Sequence, residues 1–455
     1  MSPALGAHSG LYDTTATEAD QRAAFTSGEV PVAVYGLGKM GLPLAAVYAE
    51  VTGNTIGVDI DPEVVESINA GNTHVKREPG LAELVTAVVD NDDLRATTDG
   101  EAAAEEAAVH VLMVPTLLTD DRQPDLSLLD EVVETVGAGL SPGDVVFVES
   151  TVPPRTTADR VVPNLSAASG LDPAAFGAAA CPERTVSGQA LQDVRGTHPK
   201  VVGGVDEEST RAAELVYGEI SDNEVVPTSD AATAEAVKVF EGVYRDVNIA
   251  LANQLARYNP AMDIDVTEAI DVANTQPFCD IHDPGPGVGG HCIPVYPYFL
   301  TDQYNTDSSL LTAARDTNDA MPEYTVSNLE AILDAHGVAL ESASVLLLGV
   351  TYKANINELR NAPSIPLVRN LRERGATVYA VDPLLDDWSV VGDIEPLTLE
   401  ESTDRAVDAV VLVTPHDEFA DLDWDRFDAP ILDGRDAVNA SEVEQPVYTI
   451  GGQWP

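Results

Sequence analysis

"PVAVYGLGKMGLPLAAVYAE", residues 31–50, passes through a strand, a turn and a helix in one short stretch. Pro31 to Tyr35 is apolar throughout and of strand length, the pattern of a strand covered on both faces. Gly36, Gly38 and Gly41 follow as G-x-G-x-x-G, and the apolar residues behind them recur at helical spacing. In such a unit the first glycine makes the tight turn, the second admits a diphosphate to the backbone, and the third lets helix and strand pack closely. The free N–H groups at the helix start attract the diphosphate. The next strand, "TIGVDID" (55–61), ends on Asp59, 23 positions beyond Gly36, where an acid binds ribose hydroxyls. Its charge repels a 2′-phosphate, so the pattern predicts NAD rather than NADP. Lys39 and Met40 fall beside the expected diphosphate.

Working outward, "VHVLMVP" (109–115) and "DVVFVES" (144–150) are further apolar runs with helical patterns between them, which implies a parallel sheet covered by helices. The pattern changes between about 210 and 260. "SDAATAEAVKVFEGVYRDVNIALANQLARY" (229–258) has no breaker except Gly242 and reads as one long helix, of the kind that joins domains and carries dimer interfaces. Alternation then resumes with "SVLLLGVTYKAN" (344–355), "APSIPLVRNLRERG" (362–375), "TVYAVDP" (377–383) and "AVVLVT" (409–414). Strand, turn, helix and a strand ending in Asp-Pro repeat the order of the first unit. The predicted fold is α/β, two Rossmann-like doubly wound domains joined by a long central helix and a helical middle domain. The boundaries are a loose extension over 1–28, a dinucleotide-binding domain over 29–210, a central helical domain over 211–325 and a second Rossmann-like domain over 326–455.

The chain carries 24 basic and 76 acidic residues among 455, a formal charge of −52 spread along its whole length. Such a coat repels nucleic acid and anionic lipid, and neither is expected as a partner. It also destabilises the compact state unless salt screens it, to a Debye length of about 3 Å at molar ionic strength. The composition therefore predicts a salty cytoplasm. Disorder is excluded by the regular apolar segments from Pro31 to Val413. Three cysteines, Cys181, Cys279 and Cys292, point to a reducing compartment. No run approaches membrane-spanning length and residues 1–28 lack an apolar leader core, so a soluble cytoplasmic protein is expected.

Cys292 sits in "DIHDPGPGVGGHCIPVYPYFL" (280–300), among four glycines and several prolines. Three readings compete. A buried structural thiol is the commonest state of a free cysteine. A zinc knuckle would use Cys279, His282, His291 and Cys292 as C-x2-H-x8-H-C, but adjacent His291 and Cys292 cannot easily face one ion and the loop offers few second-shell partners, so no metal is expected. The third reading is a nucleophile. Gly287, Gly289 and Gly290 permit close approach of the backbone to a ligand, and Pro294 and Pro297 stiffen the exit. A thiolate there adds to an aldehyde as a thiohemiacetal, hydride loss to NAD leaves a thioester, and water releases the acid.

On these motifs the chain resembles the UDP-glucose/GDP-mannose dehydrogenase family, the nucleotide-sugar 6-dehydrogenases. The resemblance runs from about Pro31 to the C-terminus on "GLGKMGLPLA", "EPGL" (78–81), "VPT" (114–116), "PDLS" (124–127), "ESTVPP" (149–154), "CPER" (181–184), "AEAVK" (234–238), "PGVGGHC" (286–292) and "GVTYKAN" (349–355). It implies an NAD-binding first domain, a helical dimerisation centre, a nucleotide-holding last domain, and two successive oxidations of a sugar C6 alcohol. It also implies Cys292 as nucleophile and Lys238 as catalytic lysine, where a cation suits the oxyanions of both half-reactions. Glu183 and Thr151 match positions near the reacting centre, Thr116 a cofactor contact, and Arg184, Thr185, Gly289, Lys353 and Arg360 positions that reach the sugar nucleotide. Arg245, two helical turns beyond Lys238 on the same face, joins that set. Its partners are then a UDP-sugar and a second copy of the chain.

Two departures stand out. The family's Asn four residues after the lysine is Gly242 here, and its Asp four after the cysteine is Tyr296, whose hydroxyl is the substitute on offer. "YRDVNIALANQLA" and "PGPGVGGHC" resemble the UDP-N-acetylmannosamine branch, yet Gln276 and Phe278 replace its usual His and Arg. UDP-glucose, UDP-N-acetylglucosamine and a two-electron hydroxyacid dehydrogenase remain alternative readings, as does a non-catalytic sensor of NAD or UDP-sugars.

Overall fold

The computed structural model describes residues 10–301 and 303–452. They fall into two compact units that divide between Phe240 and Glu241.

In the first unit β1 (Val32–Tyr35), β2 (Thr55–Val58), β3 (Leu94–Thr97), β4 (Val109–Leu112), β5 (Val145–Val148), β6 (Gly177–Ala180), β7 (Lys200–Gly204) and β8 (Val225–Pro227) make one sheet of order β8-β7-β6-β5-β4-β1-β2-β3. All neighbours are parallel except β6 and β7. Val32 lies opposite both Thr55 and Val109, so β1 is an interior strand. Its residues alternate between two cores. Val32 and Val34 enter one with Tyr48 and Phe147, while Ala33 and Tyr35 enter the other with Ile56 and Phe176. Burial on both faces is why the strand reads as an unbroken apolar run.

In the second unit β9 (Ser344–Leu348), β10 (Thr377–Val381), β11 (Glu395–Pro396), β12 (Ala409–Leu412), β13 (Ile431–Asp433) and β14 (Val447–Thr449) form a wholly parallel sheet, ordered β11-β10-β9-β12-β13-β14. Both sheets therefore contain the 3-2-1-4-5-6 order of a doubly wound dinucleotide fold. The repeat seen in the sequence is a repeat of topology.

The long helix Ala231–Ala256 begins in the first unit and ends in the second. Among the described residues no helix is long and apolar enough to cross a membrane.

The loose extension over 1–28 needs correction from residue 10 onward; residues 1–9 lie outside the described residues. Thr17 caps a helix over Glu18–Thr26 by accepting from the Asp20 N–H, a contact worth about 1 kcal/mol. Phe25 is completely buried, edge-on to Tyr48 with ring centres 6.5 Å apart. Leu11 is buried too, the Tyr12 hydroxyl donates to Asp206 at 2.8 Å, and Arg22 pairs with Glu219. Three buried anchors, Leu11, Tyr12 and Phe25, and a few long-range polar ties order a segment whose composition looks like a tail.

Candidate active site

The glycine turn closes at the switch point of the first sheet, where β1 and β4 send their connections to opposite sides. Gly36 has φ 92°, and a β-carbon there would stand 2.4 Å from the Met113 carbonyl oxygen. At Gly41 the β-carbon would be 1.8 Å from the Gly36 oxygen, so the helix Gly41–Thr52 can approach the strand only with glycine. At Gly38 it would meet nothing within 4 Å. Two of the three glycines are thus demanded by packing, and one faces open space beside the helix start. Asp59 accepts from the Leu37 N–H at 2.8 Å and from Asp61 at 3.0 Å, which aims its carboxylate back over the turn. These residues fit an NAD diphosphate and ribose. Lys39 is exposed beside them.

Thr116 and Thr151 come together, the Thr116 hydroxyl donating to the Thr151 carbonyl at 2.5 Å. Ser150 secures the same corner, its hydroxyl accepting from the Val114 N–H at 2.9 Å. Met40 meets Thr185, whose hydroxyl lies 2.9 Å from the Met40 sulfur, so the cofactor turn and the "CPER" segment adjoin. Arg184 donates to the Pro199 carbonyl at 2.9 Å. Glu183 has one carboxylate oxygen, Oε1, buried without a hydrogen-bond partner. Burial pushes its carboxyl above the ordinary range, opposed chiefly by the Lys238 ammonium and the Thr185 hydroxyl. Lys238 is itself only 9 % exposed, so the predicted acid and lysine influence one another in a poorly solvated place.

Four residues that hold this arrangement were not singled out in the sequence. Glu149 and Lys200 form a buried pair at 2.7 Å, the Tyr217 hydroxyl donates to Glu149 at 2.6 Å, and Lys200 also donates to the Cys181 carbonyl at 2.7 Å. That pair secures the start of "CPER". Cys181 is fully buried, and desolvation holds its thiol in the protonated form. Glu235, three residues before Lys238, accepts from the Arg155 N–H at 2.5 Å and from the Thr157 N–H and hydroxyl at 2.7 and 2.6 Å. It ties the segment after Thr151 to the lysine helix, and burial pushes its carboxyl up to about 7. Glu149 and Glu235 lie inside "ESTVPP" and "AEAVK", so the signal was present but attached to their neighbours.

In the second unit Cys292 is exposed, whereas Cys279 is half-buried; all three thiols are free. The glycines before Cys292 meet packing demands within this unit. A β-carbon at Gly289 would stand 2.7 Å from Tyr352 Cβ and 2.8 Å from the Asn361 oxygen, and one at Gly290 2.7 Å from the Tyr352 ring. Gly290 exchanges bonds with this segment, donating to the Arg360 carbonyl at 2.8 Å and accepting from the Asn361 amide at 2.9 Å. The glycines therefore clamp the cysteine loop onto residues 352–361, which carry Lys353 and Arg360.

His291 turns toward Glu358, 2.5 Å from Nε2, and Arg360, 2.9 Å from Nδ1. Among the described residues no three His, Cys, Asp or Glu side chains converge as metal ligands. Lys353 has its ammonium lowered by partial burial and next by the Arg245 guanidinium. Two cations this close repel one another in a chain that has few, and an anion between them would relieve both. Arg435, also missed, donates to the Val413 carbonyl at 3.2 Å and lies against the cysteine loop, its Nη1 2.6 Å from where a Gly285 β-carbon would be. Its signal was a basic residue directly after the apolar run "PILDGR" (430–435). Gln276 accepts from the Phe278 N–H at 2.6 Å, and Phe278 is 92 % exposed.

Gly242 and Tyr296 prove to be a pair. A β-carbon at 242 would stand 2.2 Å from Tyr296 Cδ2, and the tyrosine is buried with its ring at 5.7 Å from that of Phe299. The ring occupies the space a side chain at 242 would need, so the two departures from the family pattern depend on each other.

A glycine turn at the switch point of the first sheet and a clamped loop presenting a thiol belong to an NAD-linked oxidoreductase built on two Rossmann-like sheets. The chain belongs to the UDP-glucose/GDP-mannose dehydrogenase family. It matches that family's NAD binding domain over residues 30–221, its central domain over 232–320 and its UDP binding domain over 346–440. It is 33 % identical over 401 residues to the UDP-N-acetyl-D-mannosamine dehydrogenase of Methanococcus maripaludis, covering 87 % of this chain and 88 % of the relative. It is 34 % identical over 423 residues to the NDP-N-acetyl-D-galactosaminuronic acid dehydrogenase of Ralstonia nicotianae, covering 90 % and 97 %. The solved UDP-D-ManNAc dehydrogenase of Pyrococcus horikoshii superposes with a TM-score of 0.85 at 33 % identity, covering 93 % of this chain and 99 % of that one.

Proposed function

We propose that the protein oxidises the C6 alcohol of a UDP-N-acetylhexosamine, UDP-N-acetylmannosamine first among them, to the uronate for surface glycan synthesis. The balanced reaction takes one alcohol, one water and two NAD to one carboxylate, two NADH and three protons. The observation that carries the reading is the exposed thiol of Cys292 on a loop clamped to the segment of Lys353 and Arg360. Arg245 and Lys353 supply paired cations for the diphosphate. Bound NAD supplies the hydride acceptor, and Asp59 favours it over NADP.

The residues then divide the work. Lys238 offsets the alkoxide and later oxyanion charge. The Cys292 thiolate adds to the aldehyde carbon, and loss of a hydride from that carbon leaves a thioester. Glu183, whose carboxylate burial makes more basic, takes a proton from water as it attacks the thioester carbonyl; the thiol leaves and the acid is released. Relatives named for mannosamine and for galactosaminuronic acid support the N-acetylhexosamine class, and the exposed Phe278 marks where the chain departs from the first.

The test follows NADH at molar salt with a panel of UDP-hexoses, UDP-N-acetylhexosamines and GDP-mannose. Two NADH per sugar with an N-acetylhexosamine is expected, with less activity in dilute buffer and little with NADP. One NADH per sugar, or preference for UDP-glucose, overturns the reading. A halophilic, cytoplasmic setting is supported by the charge of −52 and three free thiols.

The same reading includes a homodimer. Phe240, Tyr244 and Leu251 are 58, 51 and 48 % exposed at spacings that place them along one side of the helix Ala231–Ala256. Light scattering at high salt is expected to give twice the chain mass, and Tyr244→Glu with Leu251→Glu to give the monomer. A wild-type monomer would remove this part of the proposal.

A further inference from the structure

The loop ahead of Cys292 is tied at Gly285 by a relay of buried polar groups that starts from one carboxylate. Asp246, on the helix Ala231–Ala256, is fully buried and pairs with Arg315 of the helix Ser309–Asp319 at 2.5 Å. A carboxylate can only accept hydrogen bonds. Asn318 must therefore turn its NH2 toward Asp246, where it reaches Oδ1 at 2.9 Å and the backbone carbonyl at 3.0 Å. That leaves the Asn318 oxygen for Asn253, whose own NH2 donates to it at 2.9 Å. Asn253 then has only its oxygen left for the loop, and it accepts the Gly285 N–H at 2.9 Å. One charge dictates the sense of each bond along the way. None of the four side-chain residues is more than 4 % exposed.

Stability alone is a poor reason for this arrangement. Burying an ion pair costs about as much desolvation as its attraction returns, and an apolar cluster of equal size often serves as well. A chain with 24 basic residues nonetheless places Arg315 here. What an apolar cluster does not provide is a directed acceptor at a chosen backbone N–H.

We propose that Asn253 is a positioning residue, its amide oriented from Asp246 through Asn318 so as to fix residues 284–292 and the sulfur they present. The inference rests on the reading of Cys292 as nucleophile. The Gly290 clamp holds the loop's far end and the Asn253 relay its near end, so both are needed to define the path between.

Asn253→Asp tests the relay's direction. A protonated carboxyl donates and accepts in the amide's sense, whereas an ionised one turns an acceptor against the Asn318 oxygen. The charged groups around that position are Asp246 and Arg315 in the relay, Asp319 sharing Arg315, Arg257 just past the end of the helix, and Arg435 against Gly285. The readouts are kcat and KM for NADH formation and the iodoacetamide alkylation rate of Cys292, from about pH 5 to about pH 8 at high salt. At the upper end kcat is expected at least about tenfold below wild type with KM little changed, since small displacements of a reacting group cost that much or more. Both kcat and alkylation should move toward wild type as pH falls, along a one-proton curve that wild type lacks. Values within about twofold of wild type at all pH overturn the proposal. Should that variant not fold, Asn253→Ser replaces it: its hydroxyl is too short to span both bonds, and a wild-type kcat and alkylation rate there overturn the proposal equally. Alkylation reads the loop directly, so its result stands apart from whether Cys292 proves catalytic.

Discussion

Cys292→Ala is expected to stop the reaction at no more than one NADH per sugar and to lower steady-state turnover by about a thousandfold or more, as loss of a covalent nucleophile does elsewhere. Taking a hydride from the alcohol requires only a base and the bound cofactor, whereas carrying the aldehyde onward requires a covalent adduct whose carbon can give up a second hydride. Neither of the other thiols can stand in. Cys181 is enclosed in the core of the first sheet, and desolvation keeps it protonated. Cys279 is half-buried on a turn of its own, its N–H bonded to the Gln276 carbonyl at 3.0 Å. Iodoacetamide should therefore label the native protein chiefly at Cys292, and the variant should lose that label along with the second NADH. Two NADH per sugar from Cys292→Ala at a rate within about tenfold of wild type would remove covalent catalysis from the account, while leaving the dinucleotide site intact.

The contrast between Cys292 and its loop shows what a sequence does and does not reveal. The glycine turn was legible because its determinants are local: a strand, three glycines and an acid at fixed spacing dictate one geometry, in which packing demands glycine at 36 and 41 and leaves open space at 38. The repeat in the second unit was legible for the same reason, since strands buried on both faces appear as apolar runs. What the sequence hid depends on partners far apart in it. The purpose of Gly289 and Gly290 is to pack against Tyr352 and Asn361, about seventy positions on, and no local pattern distinguishes that from room for a ligand. Glu149 finds Lys200, and Asp246 finds Arg315, across similar separations. The segment 10–28 looked like a tail because three buried hydrophobic residues cannot outweigh its small polar ones in any average.

Gly242 and Tyr296 offer the sharpest energetic test, because the same substitution should change sign with its background. Glycine inside a helix costs about 1 kcal/mol relative to alanine, so Gly242→Ala would ordinarily stabilise the helix Ala231–Ala256. Here the new methyl would stand 2.2 Å from Tyr296 Cδ2, 3.1 Å from Cγ and 3.2 Å from Cβ, which leaves the ring no small adjustment that relieves all three. Overpacking of this kind costs about 1–3 kcal/mol, enough to outweigh the gain in helix propensity. Tyr296→Ala removes the obstacle at the price of a cavity, destabilising by about 3–5 kcal/mol as loss of a buried aromatic does. In that background Gly242→Ala should stabilise by roughly 1 kcal/mol, giving a coupling of about 1–3 kcal/mol in a double-mutant cycle read by denaturant unfolding at fixed high salt. The consequence for chemistry is direct. Restoring the family's Asn at 242 is impossible while the tyrosine remains, and placing an Asp at 296 alone leaves a void beside a bare glycine. Only the exchange of both residues can recover the other arrangement of polar groups near Cys292. Stability effects of the two substitutions that simply add would show the ring and the helix to be independent, and with that the case for a reciprocal exchange in this family member would be lost.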